Sequence, residues 1–114
     1  MTERTTLSEP FLNLLVLYLQ AISEPTRIRL LKSLERHEAT VQELTEELAT
    51  THQNVSKHLG ILYQSGIVTR RKDGNKIWYS LADYSAWRLI EQAAASVTGH
   101  VEELAAIAGL EGMN

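Results

Sequence analysis

The chain contains no cysteine, which excludes disulfides, thiolate metal sites and cysteine redox chemistry. That absence agrees with a cytoplasmic protein. Proline and glycine are scarce, two and six among 114 residues, and no segment is repetitive or of low complexity. A single domain over 1–114 is expected, long enough to bury a core without staples. Long apolar runs are also missing. FLNLLVLYLQAI at 11–22 is interrupted by Asn13 and Gln20 and falls well short of the ~20 residues of a membrane helix, so no membrane association is expected. Glu3 and Glu9 stand beside Arg4 where a secretory leader would be basic, and no small-x-small cleavage site follows.

One absence is local. Thr51–Gly66, THQNVSKHLGILYQSG, holds no carboxylate, in a chain with 14 acidic and 11 basic residues and a net charge of −3. Residues 51–80 carry Lys57, Arg70, Arg71, Lys72 and Lys76 against Asp73 alone, a balance of +4 that leaves −7 for the rest. A basic patch on an acidic body suits a polyanionic partner, although a solvated surface has the same composition.

The elements can be read in order. Ser8 and Pro10 open a helix over 8–22 whose apolar positions cover most of its circumference, so it needs cover on several sides, and a second subunit is a source of it. Ser23-Glu24-Pro25-Thr26 starts a second helix, with Ile28, Leu31 and Leu34 on one face. Thr40-Val41-Gln42-Glu43 has the form of a capping box, followed by a short helix that buries Val41, Leu44 and Leu48. Thr51 caps the acid-free helix, which runs to Gln64. Val55, Leu59 and Leu62 form its core face, Gln53, Lys57, Gly60 and Gln64 stand opposite, and Ser65-Gly66 ends it. A strand, an Asp73-Gly74 turn and a strand fill 67–81, and the turn is expected to be of type I′. Counting from that turn sets Arg71 opposite Lys76, an unfavourable like-charge pair that a bound anion would relieve. A last helix over 85–108 carries a long stripe of apolar and small residues.

Two helices joined by a tight turn over 40–64, then a basic hairpin, make a helix-turn-helix with a wing. The expected fold class is mainly α with a small β-hairpin. A helix that enters the major groove needs donors and acceptors on its outward face, and carboxylates there would meet phosphates. Gln53 and Asn54 suit adenine, Ser56 a base or a phosphate, and Lys57 a guanine edge or a phosphate. The expected contacts to double-stranded DNA are Thr51, Gln53, Asn54, Ser56, Lys57 and His58 from the helix, with Arg70, Arg71, Lys72 and Lys76 from the wing. His58 lies beside the core face, so a packed, hydrogen-bonded histidine is the competing reading. No nucleophile–base pair, phosphate-cradling loop or paired carboxylates stand out, so no enzyme and no cofactor are expected.

SEPTRIRLLKSL, VQELTEELATTHQNVSKHLGIL and SGIVTRRKDGNKIWYSL together resemble the ArsR/SmtB-type winged-helix repressors over about residues 20–83. The resemblance implies a homodimer held by the first and last helices, which binds an inverted-repeat operator and represses transcription until an effector, here unidentified, releases it. One metal-sensing branch of that family has Cys-Val-Cys where this chain has Thr40, Val41 and Gln42, so that site is absent. Another has Asp-x-His, ten residues, then His-x-x-Glu; His100 and Glu103 match the second half, but Trp87 and Leu89 replace the first. Two ligands leave a zinc ion under-coordinated. The family often has a basic residue at the position of Gly60. The alternatives are a metal-responsive repressor using His100 and Glu103, and a winged-helix module that binds protein instead of DNA.

Overall fold

The structure, a computed structural model, describes residues 7–109; Glu3 and Arg4, weighed above for a leader, lie outside them. Two compact units divide the chain, the first ending at Tyr84 and the second beginning at Ser85.

In the first unit, α1 (Glu9–Ile22) starts where the Ser8 hydroxyl accepts from the N–H of Phe11 at 3.3 Å. α2 (Pro25–Arg36) is capped by Glu24, whose carboxylate accepts from the N–H of Arg27 at 2.9 Å. Ser23 instead closes α1, its hydroxyl donating to the Leu19 carbonyl at 2.8 Å. α3 (Val41–Leu48) opens with the expected capping box: the Thr40 hydroxyl accepts from Glu43 N–H and the Glu43 carboxylate from Thr40 N–H, both at 3.2 Å. Thr51 caps α4 (His52–Gln64) by accepting from Asn54 N–H at 3.0 Å, and Gly66 follows with φ +75°.

β2 (Val68–Asp73) and β3 (Lys76–Leu81) form the wing hairpin. A two-residue strand that the sequence did not announce, β1 (Ala39–Thr40), pairs with β3 and makes the order β1-β3-β2, all antiparallel. The hairpin register corrects the expectation. Gly74 and Asn75, not Asp73 and Gly74, are the central turn residues, since Asp73 pairs with Lys76 and Arg71 with Trp78. Gly74 has φ +67° while Asn75 has no positive φ, which is the type II′ pattern, glycine first, and not type I′. Lys76 therefore faces a carboxylate, and the like-charge pair does not form.

The core joins Leu30 and Leu31 of α2, Leu44 of α3, Val55, Leu59 and Leu62 of α4, and Val68 of β2, all fully buried. The α4 face is the one expected. On α2 the buried face shifts: Leu30 is enclosed and Ile28 only half-buried, because α1, α3, α4 and β3 all pack against this helix. α1 contributes Ala21 and Ile22 to the core, while Leu14 and Leu17 stay 64% and 61% exposed.

Ala49, at the end of α3, is the single non-glycine residue of positive φ among the described residues, at φ 54°. A Cβ in the left-handed region costs about 1–2 kcal/mol, and glycine's greater freedom when unfolded offsets part of its removal. Ala49→Gly is expected to raise stability by about 0.5–1 kcal/mol and the melting temperature by roughly 3–6 °C. A fall in melting temperature would show that the turn does not carry this strain.

The second unit is α5 (Ser85–Ala108), with Val97, Val101 and Leu104 exposed along it. No helix among the described residues is long and apolar enough to cross a membrane.

Candidate nucleic-acid interface

α3, the turn Ala49–Thr51 and α4 form a helix-turn-helix, and the sequence-expected contacts divide according to what each side chain already holds. Gln53, Ser56 and Lys57 are exposed and make no side-chain bond among the described residues. Thr51 spends its hydroxyl on the cap. Asn54 is half-buried, its amide donating to Thr50 Oγ1 at 3.2 Å, which leaves its second amide hydrogen and its carbonyl oxygen. At Gly60 an added Cβ would meet nothing within 4 Å, so packing does not demand the glycine.

His58 does not join them. It is 6% exposed, because at i+3 from Val55 it falls on the flank of α4 that packs inward. Arg27 Nη1 stands 2.9 Å from its Nδ1. A guanidinium only donates, so Nδ1 accepts and the ring is neutral, protonated on Nε2. Glu24 at 3.9 Å from the same nitrogen is then a neighbour and not an ion pair. Arg27 also donates to the carbonyls of Gln20 and Ala21 at the end of α1. One guanidinium thus ties the first helix, the second and the recognition helix together.

Burial pushes the His58 imidazole below its ordinary 6.5, and nearby Arg27 and Lys57 act in the same direction against the opposing pull of Glu24. The unfolded chain takes up this proton near pH 6.5, whereas the folded chain resists it. Stability is therefore complete above pH 6.5 and falls as pH drops below it toward the folded value. The Glu24 carboxyl, held low chiefly by the Arg27 N–H, extends the loss below its ordinary 4.5. Melting temperature is expected to fall between pH 7.5 and 5 in the native chain and to fall less in His58→Gln. Parallel profiles would remove His58 as the cause.

The four basic wing residues also divide. Arg70 lies over the Tyr63 ring, 4.0 Å from its centroid, and the Tyr79 hydroxyl raises its pKa further. It binds the wing to the end of α4. Arg71 holds Glu38 through two bonds, Nη2 to Oε2 at 2.6 Å and Nε to Oε1 at 3.1 Å, with Asp73 3.7 Å from Nη1. Lys72 and Lys76 are exposed at the wing tip and make no ion pair among the described residues. Between the wing tip and the first turns of α3 and α4 runs a groove of ≈ 580 Å³, with His52, Ser56 and Lys76 on its rim and Gln42, Glu46 and Tyr79 among its walls.

The sequence reading missed Arg27, Glu24 and Glu38 as parts of this architecture, and Tyr63 as a platform for Arg70. His100 and Glu103 are both exposed on α5, and no group of three or more His, Asp or Glu side chains among the described residues is placed to hold a metal.

A family model described as a helix-turn-helix domain matches residues 22–71, from the end of α1 into β2. The uncharacterised HTH-type transcriptional regulator Rv0081 of Mycobacterium tuberculosis is 36% identical over 76 residues, 66% of this chain and 67% of that protein. The HTH-type transcriptional repressor SmtB of the same organism is 34% identical over 77 residues, 68% of this chain and 57% of that one. The chain belongs to the ArsR/SmtB family of winged helix-turn-helix transcriptional regulators. The crystal structure of Rv0081 superposes with a TM-score of 0.76 at 30% identity, covering 84% of this chain and 97% of that one. The fold is shared as well with the homodimeric winged helix-turn-helix DNA-binding domain of Mb0332 from Mycobacterium bovis, at TM-score 0.76 and 20% identity over 90% of this chain and 95% of that one. An ArsR/SmtB chain of this kind is a DNA-binding regulator and not an enzyme.

Proposed function

We propose that this ArsR/SmtB chain is a homodimeric repressor that binds an inverted repeat in double-stranded DNA and acts in the cytoplasm. The observation that carries the reading is the acid-free outward face of α4, where Gln53, Ser56 and Lys57 make no side-chain bond among the described residues, beside a wing tip where Lys72 and Lys76 make no ion pair among them. Gln53, with the second amide hydrogen and the carbonyl oxygen of Asn54, reads base edges; Ser56 and Lys57 reach a base or a phosphate; Thr51 holds the first turn of α4 in place. Lys72 and Lys76 supply phosphate contacts, while Arg70 and Arg71 build the wing that carries them. A two-fold dimer sets its two recognition helices about 34–36 Å apart, one turn of duplex. The repressor names of relatives such as SmtB and the homodimeric state of the Mb0332 domain support this assignment. No metal or effector enters it.

The test is an anisotropy titration of the full chain against duplex from upstream of its own gene, with a scrambled duplex as control, at two salt concentrations. Saturable binding at two chains per duplex, with preference over the control, is expected. Gln53→Ala should cost about 1–3 kcal/mol on the preferred duplex and relax its preference. Lys72→Ala with Lys76→Ala should weaken both duplexes alike and flatten the log–log salt slope by roughly 3.6 per duplex, two contacts from each of two chains. Equal, weak binding to both duplexes that modest salt abolishes would overturn the assignment and favour a protein partner for the winged helix.

A further inference from the structure

Arg71 was expected to touch DNA, and its side chain is otherwise engaged. Thr40, Trp78 and Arg71 stand in one row across β1, β3 and β2, and Glu38 lies two residues before Thr40. The Arg71 side chain crosses Trp78, with the guanidinium carbon 5.7 Å from the ring centroid, and ends in the two-bond fork on Glu38. The third guanidinium nitrogen faces Asp73. The Arg71 side chain is 53% exposed and that of Glu38 39%, so solvent and a polyanion reach the pair.

We propose that Glu38 is a built-in competitor of DNA: its carboxylate occupies the guanidinium fork that a backbone phosphate would take, and so holds one wing arginine out of the interface. A carboxylate and a phosphate fit the same bidentate geometry. A phosphate that displaced Glu38 would then lie against two unpaired carboxylates, Glu38 and Asp73. The low pKa that Arg71 imposes on Glu38 keeps the competitor ionised. Among the described residues Lys72 and Lys76 make no ion pair and Arg70 lies over Tyr63, so Arg71 is the wing cation that a carboxylate holds in reserve. The affinity of the regulator is thereby set below what its basic residues could deliver, at a position outside both the recognition helix and the hairpin.

This inference rests on the DNA-binding reading above. Its test uses the full-length chain and the duplex that the native protein prefers, with native, Glu38→Gln, Arg71→Gln and the double variant titrated from 50 to 200 mM salt. Glu38→Gln should bind more tightly, with a salt slope per duplex steeper by about 1.8, the value of one further phosphate contact from each of two chains. Its advantage over the native chain should therefore shrink about twelvefold across that salt range. Arg71→Gln should leave the native slope unchanged, and the double variant should return to it. A gain in affinity is not a result that misfolding produces, and the exposed pair contributes little to stability. An unchanged or flatter slope in Glu38→Gln, or a slope that Arg71→Gln flattens in the native background, would overturn the role of Glu38 while the DNA reading stands. Absence of any duplex preference in the native chain would overturn the DNA reading, and the competitor with it.

Discussion

Arg27→Ala is expected to lower stability by about 2–4 kcal/mol, a fall of roughly 10–20 °C in melting temperature, with DNA binding lost at temperatures where the native chain still binds. The size follows from what one side chain supplies. α1 has no basic residue in its last turn; Ser23 and the Glu24 N–H cover the carbonyls of Leu19 and Ile22, while those of Gln20 and Ala21 have no backbone donor among the described residues. Arg27, the third residue of α2, donates to the carbonyls of Gln20 and Ala21. The same guanidinium satisfies Nδ1 of His58, which is enclosed on the inner flank of α4. Removing it leaves a buried imidazole nitrogen unpaired and frees the end of α1 from α4. Arg27→Lys keeps the charge but cannot span all three acceptors, and should recover less than half of the loss. Thermal unfolding followed by circular dichroism reads both variants. A loss under 1 kcal/mol in Arg27→Ala would show that water replaces the guanidinium without penalty.

Neither this network nor the Glu38 contact was legible in the sequence, and the reason is physical. Periodicity and capping are local signals. They gave the Thr40–Glu43 box, the Thr51 cap, the Gly66 stop and the Val55, Leu59, Leu62 face, all of which depend on residues within two turns of one another. Arg27 and His58 are 31 positions apart, and Glu38 and Arg71 are 33. A charged side chain that bridges such distances leaves no periodic trace, and the same letters describe a solvated surface. The hairpin shows a subtler limit. Centring the turn on Gly74 and Asn75 moves every partner by two residues, so Arg71 meets Trp78 instead of Lys76. A shift of two leaves each side chain on its original face, so alternation reads identically in both registers. What separates them is charge: the observed register pairs Lys76 with Asp73. β1, with two residues, is too short to show any period. The acid-free, exposed face of α4 was legible as a set because the absence of carboxylates is a compositional signal; that His58 belongs inside was not, since it lies at the edge of the core face.

Leu17→Glu is expected to convert the protein to monomers and to lower its affinity for a two-site operator by at least about 100-fold, while leaving the fold of each chain in place. α1 is apolar around most of its circumference, yet within the chain it buries only Ala21 and Ile22. Leu14 and Leu17 stand in water at 64% and 61% exposure, with Phe11 and Val16 beside them at 40% and 43%. A continuous apolar face of this kind marks an interaction surface. A second copy of α1 is the occupant proposed for it. A glutamate at position 17 appears twice in a two-fold dimer and would be desolvated in both chains. In the isolated chain the same glutamate points to solvent and disturbs no core contact, so helical content should match the native protein's. Each half-site contact survives, but the second no longer benefits from the effective concentration that the first creates. The salt slope per duplex should fall to about half, because one chain brings half of the phosphate contacts. Sedimentation and anisotropy on the same sample read mass and affinity together. A dimer that persists in Leu17→Glu would mean that α1 is not its seam. A monomer that keeps full operator affinity would mean that one winged helix suffices, and that the inverted repeat is not what this chain reads.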